Sequence, residues 1–248
     1  MKHFHTTIRA AVLALTMTGL AYSGAASAAA HIGAEDVVFD VDDAPFGTPY
    51  SQWTANLWQH MLSIPTPQSQ FTEGANNACS FGQSGPAWFL VGKLFVGGTT
   101  IRSCTLPAGK AVFFPVYNAI QINTPDICGQ VGAMTVRQMR GNAAVGVAAL
   151  TGMSVELDGK PIAGLREHHH KSQVFDVALP EDNVFNQFCG GPGSVPGGVY
   201  GPSVDDGYYL MLKPLSEGGH TLRIRSADSN GFDQDVTYQL SVRPKARR

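Results

Sequence analysis

The chain has 248 residues, 44% of them hydrophobic and 15% charged, with a formal net charge of −2. That length buries a core without help, and the low charge fraction and normal aromatic content exclude a disordered chain. Its 28 glycines and 15 prolines, about one residue in six, signal many turns, and no segment recurs at a fixed period, which excludes solenoids and propellers.

Residues 1–30 read as a secretory signal peptide. Lys2 and Arg9 give a positive start, Ala10 to Tyr22 an apolar stretch too short to span a bilayer, and Ser23 to Ala30 a run of small residues. Cleavage after Ala28 and cleavage after Ala30 both satisfy the small-x-small rule. No later stretch is long and apolar enough for a transmembrane segment, so an exported chain, periplasmic or extracellular, is expected. Without Lys2 and Arg9 the 17 basic residues fall to 15 against 19 acidic, a net of −4. Arg243, Lys245, Arg247 and Arg248 crowd into residues 243–248, a basic tail behind an acidic body (31–242) read as one domain. Such a body argues against nucleic acid as a partner.

The first helix is expected after Thr48, a candidate cap, with Pro49 at its first position. Tyr50, Trp53, Leu57, Met61 and Ile64 follow steps of three and four, and Pro65 and Pro67 end the run. Trp58 lies off the centre of this stripe, where the helix would meet a second surface. Short strands follow at Trp88 to Val91, Lys93 to Val96, Thr99 to Thr105 and Ala111 to Tyr117, with Pro115 at an edge or a bulge rather than in a central strand. Thr135-x-x-Gln138 is a capping-box pattern, opening a second helix that runs to Leu150 and ends by Gly152.

Beyond it, Met153, Val155 and Leu157 alternate with polar residues, and Asp158-Gly159 marks a hairpin turn. Phe175, Val177 and Leu179 alternate, as do Val236, Tyr238, Leu240 and Val242. Tyr208 to Leu212 and His220 to Ile224 read as a hairpin around Pro214 to Gly219, preceded by a Gly/Pro-rich loop from Cys189 to Pro202. The expected fold is mainly β (α+β), a β-sandwich or jelly-roll-like body with two flanking helices. Cys79, Cys104, Cys128 and Cys189 form an even set suited to disulfides in an exported chain. Of the three pairings, Cys79–Cys104 with Cys128–Cys189 is favoured, because it links neighbouring segments.

Two blocks carry a resemblance. One joins Cys79 to Leu90, Cys104 to Lys110 and Phe113 to Asn118; the other joins Asp206 to Leu215 and Gly219 to Leu222. Together they resemble a family of secreted microbial β-rich proteins, over roughly Tyr50 to Val242. The resemblance implies export and a shared β-rich fold, and no activity, cofactor or catalytic residue to transfer.

Three clusters are candidate sites. His168 and His170, two apart, would share one face of a strand and could hold zinc or copper with a third ligand from Glu167, Asp176 or His220; the plainer reading is a solvated polar segment. Asp228, Asn230, Asp233 and Asp235 offer hard oxygens suited to calcium, although Gly231 comes too early for an EF-hand loop starting at Asp228 and the distal glutamate is absent. The plainer reading there is a turn bonded to its own backbone. Trp58 is the candidate for stacking on a ligand at the surface, whereas Trp53 and Trp88 read as core. A mature chain beginning at His31 would offer a terminal amine and imidazole to copper, with His60, His168, His170 or His220 opposite.

Hydrolase and nucleotide-binding motifs are missing, and Asp205 and Asp206, adjacent on a strand, would face opposite ways. The leading functional reading is an exported non-enzymatic binding module for a small molecule or glycan, a carbohydrate or other surface polymer. The alternative is a metal-dependent extracytoplasmic enzyme around His168 and His170.

Overall fold

The computed structural model describes residues 37–72, 78–94 and 97–244. The expected signal peptide with its cleavage positions, His31, Lys245, Arg247 and Arg248 lie outside these residues.

Two five-stranded sheets face each other. The first is built from β1 (Ala87–Phe89), β3 (Ala111–Ile122), β6 (His169–Lys171), β7 (Phe175–Leu179) and β8 (Gly198–Leu212). β8 is its spine. β3 runs antiparallel along one side, while a bridge at Val38, then β6, then β7 share the other. The second sheet has the order β2 (Gly98–Pro107), β10 (Asp233–Arg243), β9 (Gly218–Asp228), β4 (Leu150–Leu157), β5 (Lys160–Pro161). The chain is thus mainly β, a sandwich with helices packed against it, as its alternating runs and turn signals suggest.

The burial pattern explains the layering. β10 alternates, sending Gln234, Val236, Tyr238, Leu240 and Val242 inward and leaving one face to solvent. Ala111 to Tyr117 of β3 and Tyr209 to Leu212 of β8 are buried without interruption, because both faces of the first sheet are covered. Phe114, Val116, Leu210 and Leu212 point into the sandwich, where they meet Leu222, Ile224, Tyr238 and the buried Trp88. Phe113, Tyr209, Met211 and Val177 point the other way, against α1 (Tyr50–Leu62). Its Tyr50, Trp53, Leu57, Trp58 and Met61 are all buried, at about 1.5–3 kcal/mol for each large apolar side chain removed from water.

α2 (Val136–Ala148) opens on the expected capping box, Thr135 Oγ1 accepting from Gln138 N and Gln138 reaching back to Thr135 N. It packs across β3 and β8, with Gly146 against Ala119. Among the described residues a four-residue helix, α3 (Asn186–Cys189), follows. Cys79–Cys104 ties a short turn to β2, and Cys128–Cys189 ties the segment after β3 to α3. No helix among the described residues is long and apolar enough to cross a membrane.

Several expectations are corrected. Thr48 does not cap α1. Its N–H closes a tight turn on Pro45 O, and Pro49 occupies the cap with its carbonyl accepting from Gln52 and Trp53. The second helix stops at Ala148, and Gly152 lies beside a bulge inside β4. Lys93 and Leu94 are not in a strand, and residues 95–96 lie outside the described set. The Gly/Pro-rich loop from Cys189 gives way to strand at Gly198. Residues 208–212 and 220–224 form no hairpin, because β8 ends in the first sheet and β9 begins in the second. Pro115 does sit at a bulge, between Phe114 and Tyr117 of a central strand.

Candidate functional site

That bulge opens a cleft. Pro115 supplies no N–H to the ladder, so β3 shifts register against β8 between Pro115 and Tyr117. Gln234 of β10 repairs the gap, its Nε2 donating to Val116 O at 3.1 Å and Ser226 Oγ at 2.9 Å while its Oε1 accepts from Lys93 N at 2.8 Å. A side chain at Gly92 would place its Cβ 2.2 Å from Gln234 Oε1, so glycine lets the chain pass there.

The resulting cavity, about 540 Å³, lies between the bulge, the segment after β1, the β9–β10 turn and the end of α1. Phe71 forms part of its wall and is backed by the buried Trp58, the rings parallel within 7° and 6.1 Å apart. Phe232 contributes from the β9–β10 turn. Polar groups come from Asn118, Asp228, Asn230 and Lys93. Tyr117 donates its hydroxyl to Asp228 Oδ2 at 2.8 Å, and the N–H groups of Asn230 and Phe232 reach Oδ1 at 2.8 and 3.0 Å. Burial works against the Asp228 charge, yet these bonds outweigh it and hold the carboxyl below its ordinary range.

Behind the wall runs a buried polar chain. Trp58 Nε1 donates to Tyr209 Oη at 2.9 Å, Tyr209 donates to Asp205 Oδ2 at 2.6 Å, and Asn118 Nδ2 donates to Asp205 Oδ1 at 2.7 Å. Asp205 is fully buried, and burial pushes its carboxyl up to about 7 against the pull of Tyr209 and Asn118, with the Asp206 charge adding to the rise. Asp206 faces the other way, as expected of a neighbour on a strand, and meets His169 Nε2 at 2.5 Å. The cleft thus presents aromatic surface, amides and a carboxylate held by its own turn, a set suited to binding. The network was not legible beforehand; the one usable signal was a proline within an apolar run, since bulges gather at functional sites.

The sequence candidates fare differently. Trp58, expected as an exposed platform, is 2% exposed, because α1 docks that edge onto Tyr209. Trp53 and Trp88 are core, as expected. His168 lies at the end of a tight turn rather than on a strand, and β6 begins at His169. His168 and His170 do come near each other, rings 6.4 Å apart, but His170 stacks on Tyr50 at 4.2 Å and 7°. Burial lowers the pKa of both, that of His170 to about 4, with the neighbouring His168 and His169 adding to its shift.

Asp228 binds its own turn, and Asp235 forms a two-pronged pair with Arg223, so Asp228, Asn230, Asp233 and Asp235 do not converge. Among the described residues no group of three or more His, Cys, Asp or Glu side chains is arranged to hold a metal ion.

No family profile matches the sequence, and no curated protein is similar to it. Two solved structures show a remote likeness. A cysteine protease inhibitor from Entamoeba histolytica is 12% identical, covering 63% of this chain and 96% of its own, with a TM-score of 0.22. Amebosin is 14% identical, covering 58% and 96%, with a TM-score of 0.18. At those scores neither likeness bears on fold or function.

Proposed function

We propose that this chain is an exported binding module whose cleft beside Phe71 takes a glycan. The carrying observation is the pairing of Phe71, stiffened by Trp58, with Asn118, Asn230 and Asp228 around one cavity of about 540 Å³. Sugar rings offer an apolar face to an aromatic side chain and hydroxyls to amides and carboxylates, and a cavity of this size accommodates one or two such rings. Two disulfides support an oxidising compartment, as does the apolar start of the sequence.

The test is calorimetry and backbone chemical-shift mapping against a panel of soluble oligosaccharides. We expect shifts clustered at residues 91–94, 115–120 and 228–234, and about tenfold weaker binding in Phe71→Ala, a loss of about 1.4 kcal/mol. Binding that leaves those amides unmoved, or a panel without a binder, would overturn the glycan reading.

A further inference from the structure

On another part of the molecule, residues 213–217 carry the chain from the first sheet to the second. This crossing brings Ser216 beside His220, at the start of β9, and both beside Asp158, in the turn between β4 and β5. His220 Nδ1 lies 2.8 Å from Asp158 Oδ2, and His220 Nε2 lies 3.2 Å from Ser216 Oγ. Asp158 is clamped: its Oδ1 accepts from Thr221 N at 2.8 Å and its own N–H donates to Thr221 O at 2.8 Å. All three side chains line a concavity of about 290 Å³, with Leu157 and Leu215 as apolar floor and Lys160 and Lys213 as basic groups. The imidazole is 13% exposed, and Ser216 is open to solvent.

The hydrogen-bond logic fixes the tautomer. A carboxylate oxygen only accepts, so Nδ1 carries the hydrogen and the neutral ring offers its Nε2 lone pair to the Ser216 hydroxyl. The Ser216 carbonyl also lies 3.0 Å from Nε2. Once Nε2 is protonated, that carbonyl accepts from it. The ring therefore has a partner in both of its protonation states, as a residue that takes and returns a proton requires. Burial lowers the pKa of His220, but the Asp158 and Ser216 carbonyl bonds outweigh it and raise it.

We propose that Ser216, His220 and Asp158 form an acyl-transfer site that hydrolyses esters of short-chain carboxylic acids. Ser216 and His220 are the catalytic residues and Asp158 the positioning residue. Ser216 Oγ forms a bond to the ester carbonyl carbon as its proton passes to His220 Nε2, and the carbonyl π pair moves onto oxygen, within the concavity that Lys160 and Lys213 also line. Collapse restores the carbonyl and breaks the carbon–alkoxy bond, and His220 gives its proton to the departing oxygen. Alcohol leaves, and the acyl group remains on Ser216. Water then attacks the acyl carbon, its proton passing to His220 and on to Ser216 Oγ as the acid departs. The shallow, partly apolar floor suits a small acyl group. This inference is independent of the glycan cleft, since the two share no residue.

The test uses the purified disulfide-bonded protein with p-nitrophenyl acetate and, separately, a fluorophosphonate followed by intact mass and peptide mapping. We expect turnover that falls about 100-fold or more in Ser216→Ala and His220→Gln, and one phosphonyl group, mapped to Ser216 of the unsubstituted chain. Asp158→Asn should move the acid limb of the pH–rate profile to lower pH, since the imidazolium loses its charged partner; a merely structural Asp158 would lower the rate and leave the limb in place. Turnover no faster than buffer, a rate that survives Ser216→Ala, or a label absent from Ser216 would overturn the proposal. Labelling of the unsubstituted protein keeps the test valid should a variant fold poorly.

Discussion

Asp205 answers to two opposed demands. Burial favours its neutral form, whereas the hydroxyl of Tyr209 and the amide of Asn118 favour the carboxylate. The folded group holds its proton up to about pH 7, while the unfolded chain releases it near 3.8. Its contribution to stability is therefore complete below 3.8 and is lost as pH rises through about 7. His170 runs the other way: its pKa is 6.5 unfolded and about 4 folded, so its contribution is complete above 6.5 and lost as pH falls through about 4. His60 and His168, also lowered by burial, act in the same sense. Across the shared window the slopes oppose each other. Asp205→Asn should remove one of them, so that the urea midpoint climbs from pH 4 to 6.5 more steeply than in the unsubstituted protein. The substitution should also cost about 1–3 kcal/mol, because an amide has one acceptor oxygen where the carboxyl has two, so Tyr209 and Asn118 cannot both donate to it. Parallel midpoint profiles would show that Asp205 does not titrate there.

Between elements, β3 and β8 approach each other closely beside the bulge. A Cβ on Gly207 would fall 2.4 Å from Asn118 Cβ and 2.6 Å from Tyr117 O, and only strand separation could relieve the backbone clash. Gly207→Ala should therefore cost about 1–3 kcal/mol by denaturant melt, and an unchanged midpoint would show that β3 yields freely at that point. Elements held by local rules were legible in the residues. The Thr135–Gln138 box, the Asp158-Gly159 turn and the alternation of β7 and β10 each depend on neighbours within a few positions. What depends on the third dimension was not. Nothing near Leu212 announces that the chain leaves one sheet for another, so two β-rich runs around Pro214 look like a hairpin. Trp58 looks exposed by helical phase until Tyr209, 151 residues on, covers it. The placing of Asp158 beside the Ser216–His220 pair, 62 residues from His220, and the Asp205 network are equally tertiary.

For the molecule as a whole, the two disulfides serve different cores. Cys79 and Cys104 belong to the sandwich interior, whereas Cys189 packs with the residues under α1. Thiol titration of denatured, unreduced protein should find no free cysteine, and removing either bridge should cost about 2–5 kcal/mol. On chain entropy alone the Cys128–Cys189 bridge, spanning 61 residues against 25, should cost slightly more to remove. Equal thiol counts before and after reduction would overturn the pairing. The second sheet carries a further consequence, in time rather than space. β2 finds its strand partner in β10, lying parallel to it from Gly98 beside Gln234 to Pro107 beside Arg243. A chain delivered from its amino end exposes β2 early and must then wait for more than a hundred residues before that partner arrives. Until then the tether at Cys104 and the hydrogen bonds of Arg102 to Val91 O and Gly92 O are what hold the strand, and the inward face of β2 stays open to whatever else the compartment contains.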